Sequence, residues 1–196
     1  MSRVFPAIVA ALLCLAWTGA VMAVEADYVG NSQCKMCHNK KEEGEIWTVW
    51  STKAHAKAYE RLASPEAKAI GEKKGLAKPP QESPECLRCH VTAYDQAKKP
   101  PVPAKINMSD GVQCETCHGP ASLHVQDGKA FKLKKDTSVN MAAHIKRGDE
   151  ATCRKCHNEE SPTWNPEKYS LEDGSKTGFD FKMAWKKIEH KLPDKK

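Results

Sequence analysis

Beyond residue 23 the chain has few of the side chains from which protein cores are usually built. Leu, Ile, Val and Phe supply only 23 of those 173 residues, about 13%, below the roughly 20% under which chains tend towards disorder. Aromatic residues make up 7% of the whole sequence. Alternating apolar and polar residues of the kind that mark strands are almost absent, and no apolar run after residue 23 is long enough to cross a bilayer. An ordinary large-core enzyme domain is therefore excluded, because these side chains cannot bury enough surface to offset the entropy of ordering the backbone. The net charge is modest, however, and several segments have helical patterning. Either the chain is disordered or something other than side chains forms its core.

The first 23 residues differ from the rest. Arg3 precedes an apolar stretch from Val4 to Ala16, and Val21–Met22–Ala23 supplies a small-x-small cleavage pattern. This reads as a secretory signal cleaved after about Ala23, with residues 24–196 forming one exported, periplasmic domain. The 31 Lys and Arg against 25 Asp and Glu give a formal charge of +6, and loss of Arg3 lowers it to +5.

Nine cysteines are present, and eight of them fall in four copies of one pattern. The copies are Cys34–Lys35–Met36–Cys37–His38, Cys86–Leu87–Arg88–Cys89–His90, Cys114–Glu115–Thr116–Cys117–His118 and Cys153–Arg154–Lys155–Cys156–His157. C-x-x-C-H is the attachment signature of c-type haem. Two cysteines three apart on a helical turn form thioethers to the vinyl groups on one porphyrin edge. The histidine that follows lies under the ring as the proximal iron ligand. A redox dithiol, a structural zinc site or a disulfide framework gives no reason for a histidine after every second cysteine. Cys14 lies within the signal, so no mature cysteine is left over. Four covalently bound haem c groups, each with its iron, also resolve the composition. The macrocycles supply the missing apolar core, and the chain becomes a mainly α wrapper of short helices and long loops, with little or no sheet.

Between the motifs, 41–62 is the strongest helix candidate, with Ile46, Trp47, Val49, Trp50, Ala54, Ala58 and Leu62 near one face. Pro65 opens a second helix through about Lys74. Segments 76–84, 98–103 and 161–166 read as Pro-containing loops or breaks. A closing helix is expected over 181–192, with Met183, Trp185, Ile188 and Leu192 inward.

Four histidines lie outside the motifs: His55, His124, His144 and His190. Each is a candidate distal iron ligand. For His144 and His190 the alternative is a surface histidine bonded to a propionate or to solvent. Bis-His ligation is favoured for most haems and implies low potentials; Met ligation raises them. Met36 lies inside an attachment motif, and Met108, Met141 and Met183 read as core filler. A haem without a distal ligand would bind a small molecule, the only route to catalysis visible in the sequence.

Trp50 with His55–Ala56–Lys57–Ala58, Cys114–Glu115–Thr116–Cys117–His118–Gly119–Pro120 and Phe179–Asp180–Phe181–Lys182 with His190 resemble the cytochrome c554 family, as does the first motif, over most of the mature chain and in the same order. The resemblance implies a mainly helical electron carrier with haems in stacked pairs. It also implies bis-His ligation at three haems, with the second five-coordinate in the type member. By that likeness His55 caps the third haem and His124 the first. A hydroxylamine-oxidoreductase-like donor is implied by the resemblance alone.

Four ferric haems with ionised propionates bring the mature charge from +5 to about +1, so a basic pI does not signal nucleic-acid binding. Lys132, Lys134 and Lys135, with Lys182, Lys186, Lys187, Lys191, Lys195 and Lys196, either steer docking onto an acidic redox partner or form solvated faces. The leading reading is a periplasmic carrier between a redox protein donor and acceptor. The rivals are a haem enzyme reducing a small nitrogen oxide at an open iron, a membrane-anchored tetrahaem quinol dehydrogenase that retains Val4–Val24 as an anchor, and a subunit of a cytochrome filament.

Overall fold

A computed structural model describes residues 24–190 of the chain. The expected signal and the last tail lysines lie outside the described residues. The helices are α1 Asn31–His38, α2 Ile46–Ser51, α3 Ala58–Arg61, α4 Pro65–Lys74, α5 Pro84–His90, α6 Cys114–His118, α7 Ser122–Lys132, α8 Glu150–Arg154 and α9 Phe181–Ile188. One two-residue hairpin pairs β1 Tyr169–Ser170 with β2 Lys176–Thr177 antiparallel. The fold is mainly helical, with short helices separated by long loops. No helix among the described residues is long and apolar enough to cross a membrane.

Local chemistry explains most boundaries. In α4 the Ser64 hydroxyl accepts the Ala67 N–H at 3.1 Å, Pro65 occupies the first turn, and Gly75 ends the helix in the left-handed region. Asp149 caps α8 through the Thr152 N–H, and Asp180 caps α9 through the Met183 N–H. The expected single helix over 41–62 is instead four pieces. A 3-10 turn at Lys41–Glu43 ends at Gly44 and Glu45, both with positive φ; α2 stops at Ser51; the extended Lys53 starts a second 3-10 turn, Ala54–Lys57; α3 follows. The closing helix ends at Ile188, and Met183 is an exposed side chain rather than an inward one. Phe181 and Trp185, one turn apart, are half-buried and meet at a tilt, with ring centroids 5.5 Å apart.

The aliphatic core is small. Leu62, Leu87, Val91, Val102 and Ile106 form one cluster around the second C-x-x-C-H motif, flanked by Tyr28, Tyr59, Tyr94 and Met108. A second buried region is polar. Asn31, Thr92, Gln113 and Glu115 are each at most 2% exposed. The Asn31 N–H donates to Gln113 Oε1, and Asn31 Oδ1 accepts the Cys114 N–H. Gln113 N–H donates to Thr92 Oγ1 at 2.7 Å, and Thr92 and Thr116 hydroxyls meet at 2.8 Å. This network ties the first and third motifs to the residues just after the second.

Candidate cofactor-binding sites

The first three C-x-x-C-H motifs lie in α1, α5 and α6, and the fourth begins at the C-terminal end of α8 and runs into the turn beyond it. All eight motif cysteines are free thiols, half-buried. They meet motif to motif. Cys34 and Cys114 share a hydrogen bond that lowers the first thiol and raises the second; Cys89 and Cys156 do likewise, with Cys89 lowered to about 7. Cys117 is raised by burial and then by the neighbouring Cys153. The motifs therefore adjoin in the order first, third, fourth, second. An Arg88–Glu160 ion pair at 2.8 Å adds a second link between the second and fourth.

The histidines form pairs across these motifs. Ring centroids stand 6.1 Å apart for His38–His124, 6.0 Å for His55–His157 and 5.7 Å for His118–His190. A metal held between two imidazole nitrogens by bonds of about 2 Å sets the ring centroids roughly 6 Å apart. The separations match one intervening iron. Tautomers agree with this. His90 Nδ1 donates to Ala58 O at 2.7 Å, His118 Nδ1 to Lys146 O at 2.7 Å and His124 Nδ1 to Met141 O at 2.8 Å. A carbonyl only accepts, so in these three rings the lone pair is on Nε2, ready for a metal. Burial lowers the pKa of His38, His55 and His157 and favours the neutral, ligating form. Among the described residues no three His, Cys, Asp or Glu side chains converge as a zinc site would require.

Two placements differ from the expectations. The resemblance sets His55 over the third haem, whose motif ends at His118. The structure turns His55 towards His157 of the fourth motif and places His190 against His118 instead. The break at Lys53 and the grip of segment 111–112 set this direction: Val112 N–H donates to His55 O at 3.0 Å, and the Trp50 indole donates to Val112 O at 3.0 Å. His144 is brought to no motif. Its Nε2 lies 3.5 Å from Asp127 on the surface. His90 has no facing histidine ring among the described residues, so one motif of the four lacks a pair. The methionines divide: Met36 is 52% exposed, and Met108 flanks the aliphatic cluster.

The sequence reading missed the polar residues that hold this arrangement. Gln113, Thr92 and Asn31 resemble ordinary loop residues in the sequence, and Glu115 occupies an x position where Lys35, Arg88 and Arg154 also sit. Only the long-range partners distinguish it.

A profile of the family described as cytochrome c554 and c-prime matches residues 33–119, which span the first three motifs. Cytochrome c-554 of Nitrosomonas europaea is 30% identical over 200 residues, covering 93% of this chain and 82% of that protein. The chain belongs to the cytochrome c554 family. It is a c-type cytochrome of electron transfer, with covalently bound haem c. A solved structure of reduced cytochrome c554 from the same organism is 28% identical, with a TM-score of 0.46 over 84% of this chain and 79% of that one. The residues described above fit the group: free thiols in pairs, a histidine beside each pair, and facing imidazoles at the separation one iron requires.

Proposed function

We propose that this cytochrome is a periplasmic tetrahaem electron carrier in which three haems are bis-His ligated and the second is open on its distal side. The observation that carries this is the set of three imidazole pairs near 6 Å beside a fourth motif without one. The thioethers are assigned to Cys34 and Cys37, Cys86 and Cys89, Cys114 and Cys117, and Cys153 and Cys156. The iron ligands are His38 with His124, His118 with His190, His157 with His55, and His90 alone; His144 is a surface residue.

When bound, haem c supplies a one-electron ferric–ferrous couple. The chain does the rest. It fixes the imidazoles of His90, His118 and His124 through backbone carbonyls, brings the motifs together in the order first, third, fourth, second, and presents cations to a redox partner. Lys182 and Lys186 are exposed one turn apart on α9, which ends two residues before His190. That placement supports docking of an acidic donor or acceptor close to the third motif.

Low-temperature electron paramagnetic resonance of the oxidised holoprotein tests the ligation, with optical spectra before and after nitric oxide or cyanide. Three low-spin signals and one high-spin signal that shifts on ligand addition are expected. Four low-spin signals with no ligand response overturn the open second haem. Reduction of a small nitrogen oxide at that haem is the second reading, favoured by the unpaired His90. Turnover of the bound ligand, rather than binding alone, is the outcome that selects it. Intact mass reads the haem count and shows whether the chain begins at Val24.

A further inference from the structure

Glu115 is the x residue after the first cysteine of the third motif, and its side chain is 2% exposed. No cation pairs with it among the described residues. Its oxygens are filled by backbone donors instead: Oε1 accepts from Val29 N at 3.0 Å and Ala121 N at 2.9 Å, and Oε2 accepts from Gly30 N at 2.8 Å and Val29 N at 3.2 Å. Every one of these hydrogen-bond partners is a backbone donor, an arrangement that suits a carboxylate.

Two of those donors belong to the strap just before α1, which carries the first motif, and the third follows the His-Gly-Pro after α6. The strap is also bolted by Asp27 N–H to Ser122 Oγ at 2.8 Å. Gly30 has φ 77, and a Cβ there would collide with Lys105 O, so the strap fits only with its backbone pressed into the fold.

We propose that Glu115 is a positioning residue for electron transfer, a buried carboxylate that clamps the first and third haem motifs together and lowers the potentials of that pair. The inference rests on the four-haem reading. A buried negative charge is weakly screened and opposes the arrival of an electron nearby, so it lowers the reduction potential of adjacent iron. Each reduction adds one electron and breaks no bond. The charge of Glu115 already reaches the adjoining thiols. Their shared hydrogen bond dominates both, and the carboxylate pushes Cys34 and Cys114 upward; it does the same to Tyr28, which burial raises first.

The test is spectroelectrochemistry of the holoprotein with Glu115→Gln, Glu115→Asp and, as an uncharged loosening of the same strap, Ser122→Ala. In Glu115→Gln two of four midpoint potentials rise by roughly a tenfold change in the reduction equilibrium, which is about 59 mV for a one-electron couple. Glu115→Asp and Ser122→Ala keep wild-type values. Unmoved potentials, or a uniform shift of all four, overturn the proposal. Should Glu115→Gln fail to mature, site-assigned carbon NMR of the wild-type side-chain carboxyl decides. A carboxylate shift in both redox states supports the proposal, and a protonated carboxyl in either overturns it. A wild-type mass with fewer than four haems brings down the underlying reading and this proposal with it. Four haems with potentials that ignore Glu115 sink the proposal alone.

Discussion

Thr92 has no exposed surface, and its hydroxyl stands at the junction of the buried polar network, accepting from Gln113 N and lying within hydrogen-bond distance of Gly111 O and Thr116 Oγ1. Thr92→Val keeps the shape and leaves the Gln113 N–H buried without a partner, at a cost of about 1–3 kcal/mol. Denaturant unfolding of the holoprotein followed by circular dichroism measures it. Asp149 gives a pH-dependent counterpart. Its hydrogen bonds to Thr152 hold the carboxyl below its ordinary 3.8. A depressed carboxyl contributes stability that is complete above its unfolded value and is lost as pH falls through the folded one. Acid unfolding of wild type and Asp149→Ala should therefore differ above about pH 4 and converge at lower pH. Asp149 is readable from sequence as a cap before a helical turn. Thr92 is not, because a threonine two residues after a histidine in a loop looks solvated until its partners, nineteen and more residues away, are known.

The segment from 41 to 62 shows what periodicity misses at the scale of elements. Its apolar spacing was real, but the backbone conformations at Gly44, Glu45 and Lys53 are set by tertiary demands that the spacing does not encode. One continuous helix would hold His55 on the course set by Trp50, whereas the break lets the ring turn to His157. Gly111 makes the turn possible. It has φ 65, and an added Cβ would stand 2.7 Å from His55 O and 3.1 Å from Ala58 N. Both contacts are backbone and cannot yield cheaply. If His55 is the distal ligand proposed for the fourth motif, Gly111→Ala should displace the turn and remove that imidazole, read as a new high-spin signal in the oxidised protein. The caps at Ser64 and Gly75, by contrast, were legible residue by residue, because α4 is governed by its own termini and little else.

At the scale of the molecule, the aliphatic cluster serves the second motif alone, as the scarcity of Leu, Ile and Val required, while at the fourth motif Phe179 stacks on His157. Chain produced without haem attachment should be largely unfolded, with little protection from amide hydrogen exchange; a folded apo-chain would contradict this account. Surface charge is tested separately. Lys182→Glu with Lys186→Glu should slow electron exchange with an acidic redox protein several-fold at low salt. The difference should close near 1 M salt, where the Debye length is about 3 Å. The family's motif order was legible because attachment chemistry fixes local spacing. The pairing of histidines was not, since it depends on contacts between residues as far apart as His55 and His157. The strap held by Glu115 carries the same separation into biogenesis. Val29 and Gly30 emerge during synthesis some 85 residues before the side chain that will bind them. Until the third motif has been made, the strap before the first motif has no Glu115 to hold it, so this contact closes only after both motifs exist.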